Sequence, residues 1–187
     1  IADAEKQVKL EIISDQMLPS VAVLDPRLTI GLPPRATAAT AIDALCHAVE
    51  AYSCRQKNPV SDAFAFAAVK AILSALPEVV KNPQNKAARL ELANASFMAG
   101  VAFSNSMVGA VHAIGHAVGA VCHVAHGEAM AILLPRVMRF NQCAEYRDLA
   151  ALFDDPEPVV ALEVLLESLH KKTGLPITLS QTGKVTE

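Results

Sequence analysis

The sequence predicts a mainly α-helical, multi-helix domain with a short β segment at its N-terminus. Three observations predict it. The apolar mass is aliphatic: hydrophobic residues make up 52% of the chain, aromatic residues only 4%, and there is no tryptophan, a composition suited to closely packed helices. From about Thr37 onward apolar residues recur with helical spacing, and no later stretch alternates as a strand does. Before that point two runs, Val8 to Ile13 and Ser20 to Leu24, are short, β-branched and bounded by breakers. The 187 residues suffice for one substantial domain with its own core.

The two β-like runs come first. Two strands are not independently stable, so they are expected to pair with a sheet supplied from outside this chain. Asp25-Pro26-Arg27 and Leu32-Pro33-Pro34 are loop punctuation. Thr37 is the expected N-cap of a helix running through Asp43, His47 and Glu50 to about Ser53. Asn58-Pro59 opens the next helix, with proline where a missing N–H costs least; Pro77 is tolerated and Asn82-Pro83 ends it. Further helices are expected over Lys86 to Ser104 and Met107 to about Val121. A loop follows over His123 to Gly127. Glu128 to Phe140 is helical and bent or restarted near Pro135, then come Tyr146 to Phe153 and Val159 to Lys172. Gly174 and Pro176 stop the last helix. The expected division is therefore 1–34 as a strand-and-loop segment and 35–187 as a helical domain.

Composition excludes several classes of function. A net charge of -3 and a pI near 6.1 leave no basic footprint for nucleic acid, and no basic run suits an anionic membrane. Ile1 to Lys6 does not read as a secretory leader. No Asp, Glu, Lys or Arg occurs between Glu91 and Glu128, but that stretch is rich in Ala, Gly, Ser and Asn and carries four histidines, which predicts a buried helix pair rather than a bilayer span. Cys46, Cys54, Cys122 and Cys143 form no CxxC pair. They are expected as small, mostly buried side chains in a reducing cytoplasm.

Chemistry concentrates in three short segments. Asp43 and His47 are four apart and project from one helix face, and His112 and His116 repeat that spacing. His126 follows in Ala125-His126-Gly127. Imidazoles with a carboxylate suit Zn²⁺ or Fe²⁺, and a bound cation would supply the counter-charge a buried carboxylate needs. Taken singly, Asp43 also reads as a helix-face carboxylate and His47 as a core or surface histidine. A purely structural bundle with buried histidines therefore stays open on spacing alone. His123 is expected as a loop histidine. His170, beside Lys171 and Lys172 at a helix end, is expected to face solvent.

A run of ordered motifs resembles the iron-containing (group III) alcohol dehydrogenases. It comprises Leu24-Asp25-Pro26-Arg27-Leu28-Thr29, Leu32-Pro33-Pro34, Thr37-Ala38-Ala39-Thr40 and Asp43 through Tyr52. It continues with Asn58-Pro59-Val60-Ser61-Asp62, Ala99 through Asn105, Val111 through His116, His126-Gly127, Ala131 through Pro135 and Met138 through Asn141. The likeness covers roughly residues 8–148, with a looser tail through Gly174-Leu175-Pro176. Ala41-Ile42 stands where the family often has a Gly-Met pair, and Ala125 where it often has proline; neither removes a candidate ligand.

The resemblance implies the helical metal-binding domain of the dehydroquinate synthase-like fold, with 1–34 as a remnant of the nucleotide-binding half. It implies that Asp43, His47, His112 and His126 hold one metal, Fe²⁺ or Zn²⁺. It places His116 near the nicotinamide as a proton relay and Leu28 at a cofactor contact. The implied activity is NAD- or NADP-dependent alcohol and aldehyde interconversion, with a small alcohol or aldehyde as substrate. No GGGS-type turn or GxGxxG occurs in these 187 residues, so they are expected to be inactive without the nucleotide-binding half. The exposed strands are expected to favour a homo-oligomer. The competing readings are a non-catalytic helical metal-binding or assembly module and a glycerol-dehydrogenase-like enzyme.

Overall fold

Two adjacent prolines set where helical structure begins. The structure, a computed structural model, describes the chain except Ile1, Ala4, Glu11, Thr186 and Glu187. Helix α1 spans Pro34–Ser53, with Pro33 as its extended N-cap and Pro34 at the first helical position, where φ is already helical and no N–H is lost. Thr37, expected as the cap, is instead one turn inside the helix and buried. Its hydroxyl accepts from Arg89 Nη1 at 3.2 Å, a tertiary role that the local pattern does not reveal.

Six helices follow. Helix α2 (Pro59–Lys81) opens on a capping box in which the Asn58 side chain accepts from the Ser61 N–H and the Ser61 hydroxyl accepts from the Asn58 N–H. Pro77 lies inside it, as the sequence predicts. Helix α3 (Lys86–Ser104) is capped by Asn85. Helix α4 (Ala110–Cys122) begins three residues later than expected, because Asn105 to Gly109 form a turn that carries Met107 at positive φ. Helix α5 (His126–Asn141) runs through Pro135. It starts two residues earlier than expected, so His126 is its first residue and not a loop residue. Helices α6 (Glu145–Phe153) and α7 (Pro158–Thr173) close the domain, with Gly174 in the left-handed conformation at the end of α7.

The core forms where α1 packs against α2, α3 and α5. Ile42, Leu45, Val49, Ile72, Leu76, Met130 and Leu134 are buried in one cluster at its centre. Helix α2 is long and apolar enough to cross a membrane by length and composition. Here it lies along both α1 and α3, with Ala65, Val69 and Ile72 buried, the packing of an interior helix.

The N-terminal segment departs from expectation. Strand β1 (Ala2–Asp3) pairs antiparallel with β2 (Val8–Lys9) over two residues each. The expected strand from Val8 to Ile13 thus shortens to Val8–Lys9, with Glu11 outside the described residues. Ser20 to Leu24 is not a strand. Val21 and Val23 are 74% and 79% exposed there. β-branched sequence favours a pleated conformation only where a neighbouring strand and a covered face exist to reward it. His170 also differs from expectation: it is half-buried, and its Nδ1 donates to the Leu175 carbonyl at 2.7 Å across the end of α7.

Candidate metal centre

The site lies where α1, α4 and the first turn of α5 converge. Asp43, His47 and Glu50 follow at intervals of four and three along α1 and share one face. His112 and His116 sit one turn apart on α4. Only His123, Val124 and Ala125 separate α4 from α5, and His123 adopts the left-handed conformation that reverses the chain. This tight connection brings His126 back beside His112, with ring centroids 5.5 Å apart.

Two contacts fix the start of α5 against α1. Arg35 Nε donates to Glu128 Oε1 at 2.6 Å. Gly127 lies directly on the α1 backbone: a Cβ at this position would come within 2.5 Å of the Ala39 carbonyl oxygen. Only glycine permits that approach, and the approach sets His126 over Asp43.

Asp43 Oδ1 is the hub. His126 Nε2 lies 3.3 Å from it, His112 Nε2 3.5 Å and His47 Nδ1 3.9 Å. Candidate ligand atoms of Asp43, His112 and His126 all lie within 4.8 Å of one another, and His47 stands beside this trio. The His47 ring stacks between Phe103 and His112, with centroids at 4.5 and 4.2 Å. His116 is half-buried, its ring centroid 5.2 Å from that of His126. Leu28 ends a 3-10 turn over Pro26–Leu28 and is 80% exposed.

The electrostatics favour added positive charge. Burial alone would raise the Asp43 carboxyl, but the imidazoles of His112 and His126 hold it well below the usual carboxylate range. Burial pushes His47 down to about 4, which keeps its ring neutral. Burial also opposes charge on His112, yet Asp43 and Glu50 on either side lift it to about 9.

Two side chains at the site had no assigned role in the sequence. Glu50 is 5% exposed and accepts from His112 Nδ1 and, at 2.7 Å, from the Val111 N–H. Its signal was available: it lies on the Asp43–His47 face of a helix that carries no Lys or Arg after Arg35. Lys9 places its Nζ 3.3 Å from His126 Nδ1, a contact across 117 residues that no local pattern announces.

A second cluster, Cys46, Glu50 and His112, also gathers candidate ligand atoms within 4.8 Å. The hydrogen bonding separates the two. The Glu50 oxygens are already engaged, whereas Asp43 Oδ1 and His112 Nε2 are buried and have no hydrogen-bond partner. Buried polar atoms without partners are rare and costly. Two of them converging with a third donor, all nitrogen or carboxylate oxygen, make a set that fits a divalent ion such as Fe²⁺ or Zn²⁺.

Residues 37–186 match the family model described as Fe-containing alcohol dehydrogenase family, C-terminal. The chain belongs to this family. It is similar to alcohol dehydrogenase 4 of Saccharomyces cerevisiae, with 37% identity covering 100% of this chain and 50% of the relative. It is 44% identical to the 1,3-propanediol dehydrogenase of Klebsiella pneumoniae, over 83% of this chain and 41% of that protein. Among solved structures, a 1,3-propanediol oxidoreductase superposes with a TM-score of 0.79 and 39% identity, covering 90% of this chain and 47% of the other. The iron-containing alcohol dehydrogenase of Thermococcus thioreducens gives 0.80 and 32%, covering 94% and 46%. The chain spans about half the length of the curated relatives it matches.

Proposed function

We propose that this chain is the metal-binding catalytic half of an NAD(P)-dependent alcohol dehydrogenase that interconverts small alcohols and aldehydes. The observation that carries the reading is the pair of buried, unpartnered atoms, Asp43 Oδ1 and His112 Nε2, facing each other beside His126. Asp43, His112, His126 and His47 would hold one Fe²⁺ or Zn²⁺. When bound, such an ion supplies Lewis-acid polarisation of an alcohol oxygen, and a nicotinamide cofactor supplies the hydride acceptor.

The chain's own residues do the rest. Phe103 and His112 clamp the His47 ring by stacking, and burial keeps it neutral at the site. His116, one turn from His112 and against His126, is positioned to pass the alcohol proton outward. Leu28 offers an exposed apolar side chain to the cofactor. The dinucleotide phosphates are gripped by residues outside these 187. The exposed apolar side chains around Val21 and Val23 suit a sheet edge of that nucleotide-binding half, or of a second copy. Four free cysteines fit a reducing cytoplasm.

Similarity to the NAD-dependent methanol dehydrogenase of Bacillus methanolicus, 38% over 98% of this chain and 51% of the relative, supports a nicotinamide cofactor. The test is metal analysis of anaerobically prepared protein, combined with an assay using NAD⁺ or NADP⁺ and 1,3-propanediol. About one divalent ion per chain and no turnover by these residues alone is the expected result. Metal-free protein, or turnover without further residues, would contradict it.

A further inference from the structure

Glu50 is a carboxylate sealed in the interior, and the structure surrounds it with donors. Its Oε1 accepts from the Val111 N–H at 2.7 Å, and its Oε2 accepts from His112 Nδ1. The Cys46 thiol lies 3.8 Å from Oε2. Gly109 makes room for it, since a Cβ there would come within 2.9 Å of Oε1. No Lys or Arg is among its hydrogen-bond or ion-pair partners within the described residues.

We propose that Glu50 is a positioning residue for the metal: it holds His112 with the ring proton on Nδ1, so that the Nε2 lone pair faces Asp43 and His126. The inference rests on the metal reading and deepens it. A carboxylate only accepts, so the ring nitrogen bonded to it keeps its hydrogen, and the other ring nitrogen is the one that gives up its proton to offer a lone pair. That atom is His112 Nε2, 3.5 Å from Asp43 Oδ1 and without a hydrogen-bond partner. The same contact fixes the ring's orientation, the usual part played by a carboxylate behind a ligating histidine. Charge follows the same plan. Asp43 and Glu50 contribute two negative charges, which lift His112 to about 9 while no metal is bound; a divalent ion taking the place of that proton would leave the imidazoles neutral and balance the two carboxylates in a buried setting.

Glutamine separates this role from simple helix packing. Its side chain has the same shape but one acceptor oxygen, and two donors, Val111 N–H and His112 Nδ1–H, require acceptors. If the amide oxygen stays on Val111, the amide NH₂ meets Nδ1 and forces the ring proton onto Nε2, the atom that should bind metal.

The experiment is competitive titration of Zn²⁺ or Co²⁺ against a chromophoric chelator, for wild type and Glu50→Gln, with ¹⁵N NMR of the histidine rings. The expected result is about a 10- to 100-fold weaker metal affinity in Glu50→Gln, with a proton on His112 Nδ1 and none on Nε2 in the Zn²⁺-loaded wild type. An affinity within twofold of wild type, even with lowered thermal stability, reduces Glu50 to a packing residue and overturns the proposal. Should Glu50→Gln not fold, the spectrum of the Zn²⁺-loaded wild type decides, because metal on His112 Nδ1 with the proton on Nε2 overturns it equally. A wild type that binds neither ion refutes the metal reading itself, and the proposal with it.

Discussion

Asp43 Oδ1 and His112 Nε2 face each other across 3.5 Å in the interior, and neither has a hydrogen-bond partner. One atom comes from the middle of α1 and the other from the first turn of α4, 69 positions apart in sequence. Interiors satisfy their polar atoms, so this pair marks a place built for something that binds both at once.

Gly127 governs whether the third ligand arrives. Gly127→Ala puts a methyl about 2.5 Å from the Ala39 carbonyl oxygen, so α5 must move off α1. Overpacking of this kind costs roughly 1–3 kcal/mol. Chemical denaturation should show that loss, and metal titration should show weaker binding, because His126 travels with the helix. Unchanged affinity would mean that His126 is not held by this contact.

Lys9 opposes the cation. Its ammonium sits 3.3 Å from His126 Nδ1 and adds positive charge at the rim of the site. Lys9→Met should therefore tighten metal binding. A like charge several ångströms from the ion in a solvated rim is worth on the order of 1 kcal/mol, or roughly threefold to fivefold in affinity. The gain should shrink as salt is raised. Weaker binding in Lys9→Met would show that the lysine supports the site.

Tyr146 predicts an alkaline limit to stability. Burial pushes its phenol up to about 12, from an ordinary value of 10. The folded value lies above the unfolded one, so the contribution is fully present below pH 10 and is lost as pH rises through about 12. The loss is on the order of 2–3 kcal/mol. Urea unfolding of Tyr146→Phe between pH 9 and 12 should fall less steeply than wild type. Tyr52, also raised to about 12 by burial and by its bond to Asp148, leaves a residual slope. At pH 7 the variant should be within about 1 kcal/mol of wild type, since it gives up one long hydrogen bond from Asn141.

The helices were legible because each is written locally. Apolar spacing, Asn58 at the start of α2 and Gly174 as a stop after α7 announce α2, α3 and α7 without reference to the rest of the chain. The Asp43/His47 and His112/His116 pairs were legible for the same reason, since four residues is one helical turn. What was not legible depends on partners far along the chain. Glu50 looks like an ordinary charged helix residue until Val111 and His112 are folded onto it, and Lys9 reads as part of a strand until it meets His126. The strand expected at Ser20 to Leu24 failed because strand sequence specifies a conformation only in the presence of a neighbour, and the described residues supply none there. His126 was placed in a loop because Ala125 lacks a capping side chain, so nothing local marks the start of α5.

The most direct test is the stoichiometry of Co²⁺ binding, followed by its visible absorption, in wild type and in His112→Ala. The account predicts about one tightly held ion per chain in the wild type, with a spectrum reporting nitrogen and oxygen ligands, and loss of that ion in His112→Ala while the far-UV helical signal persists. An ion bound equally well without the His112 imidazole, or a wild type that binds none, would contradict it.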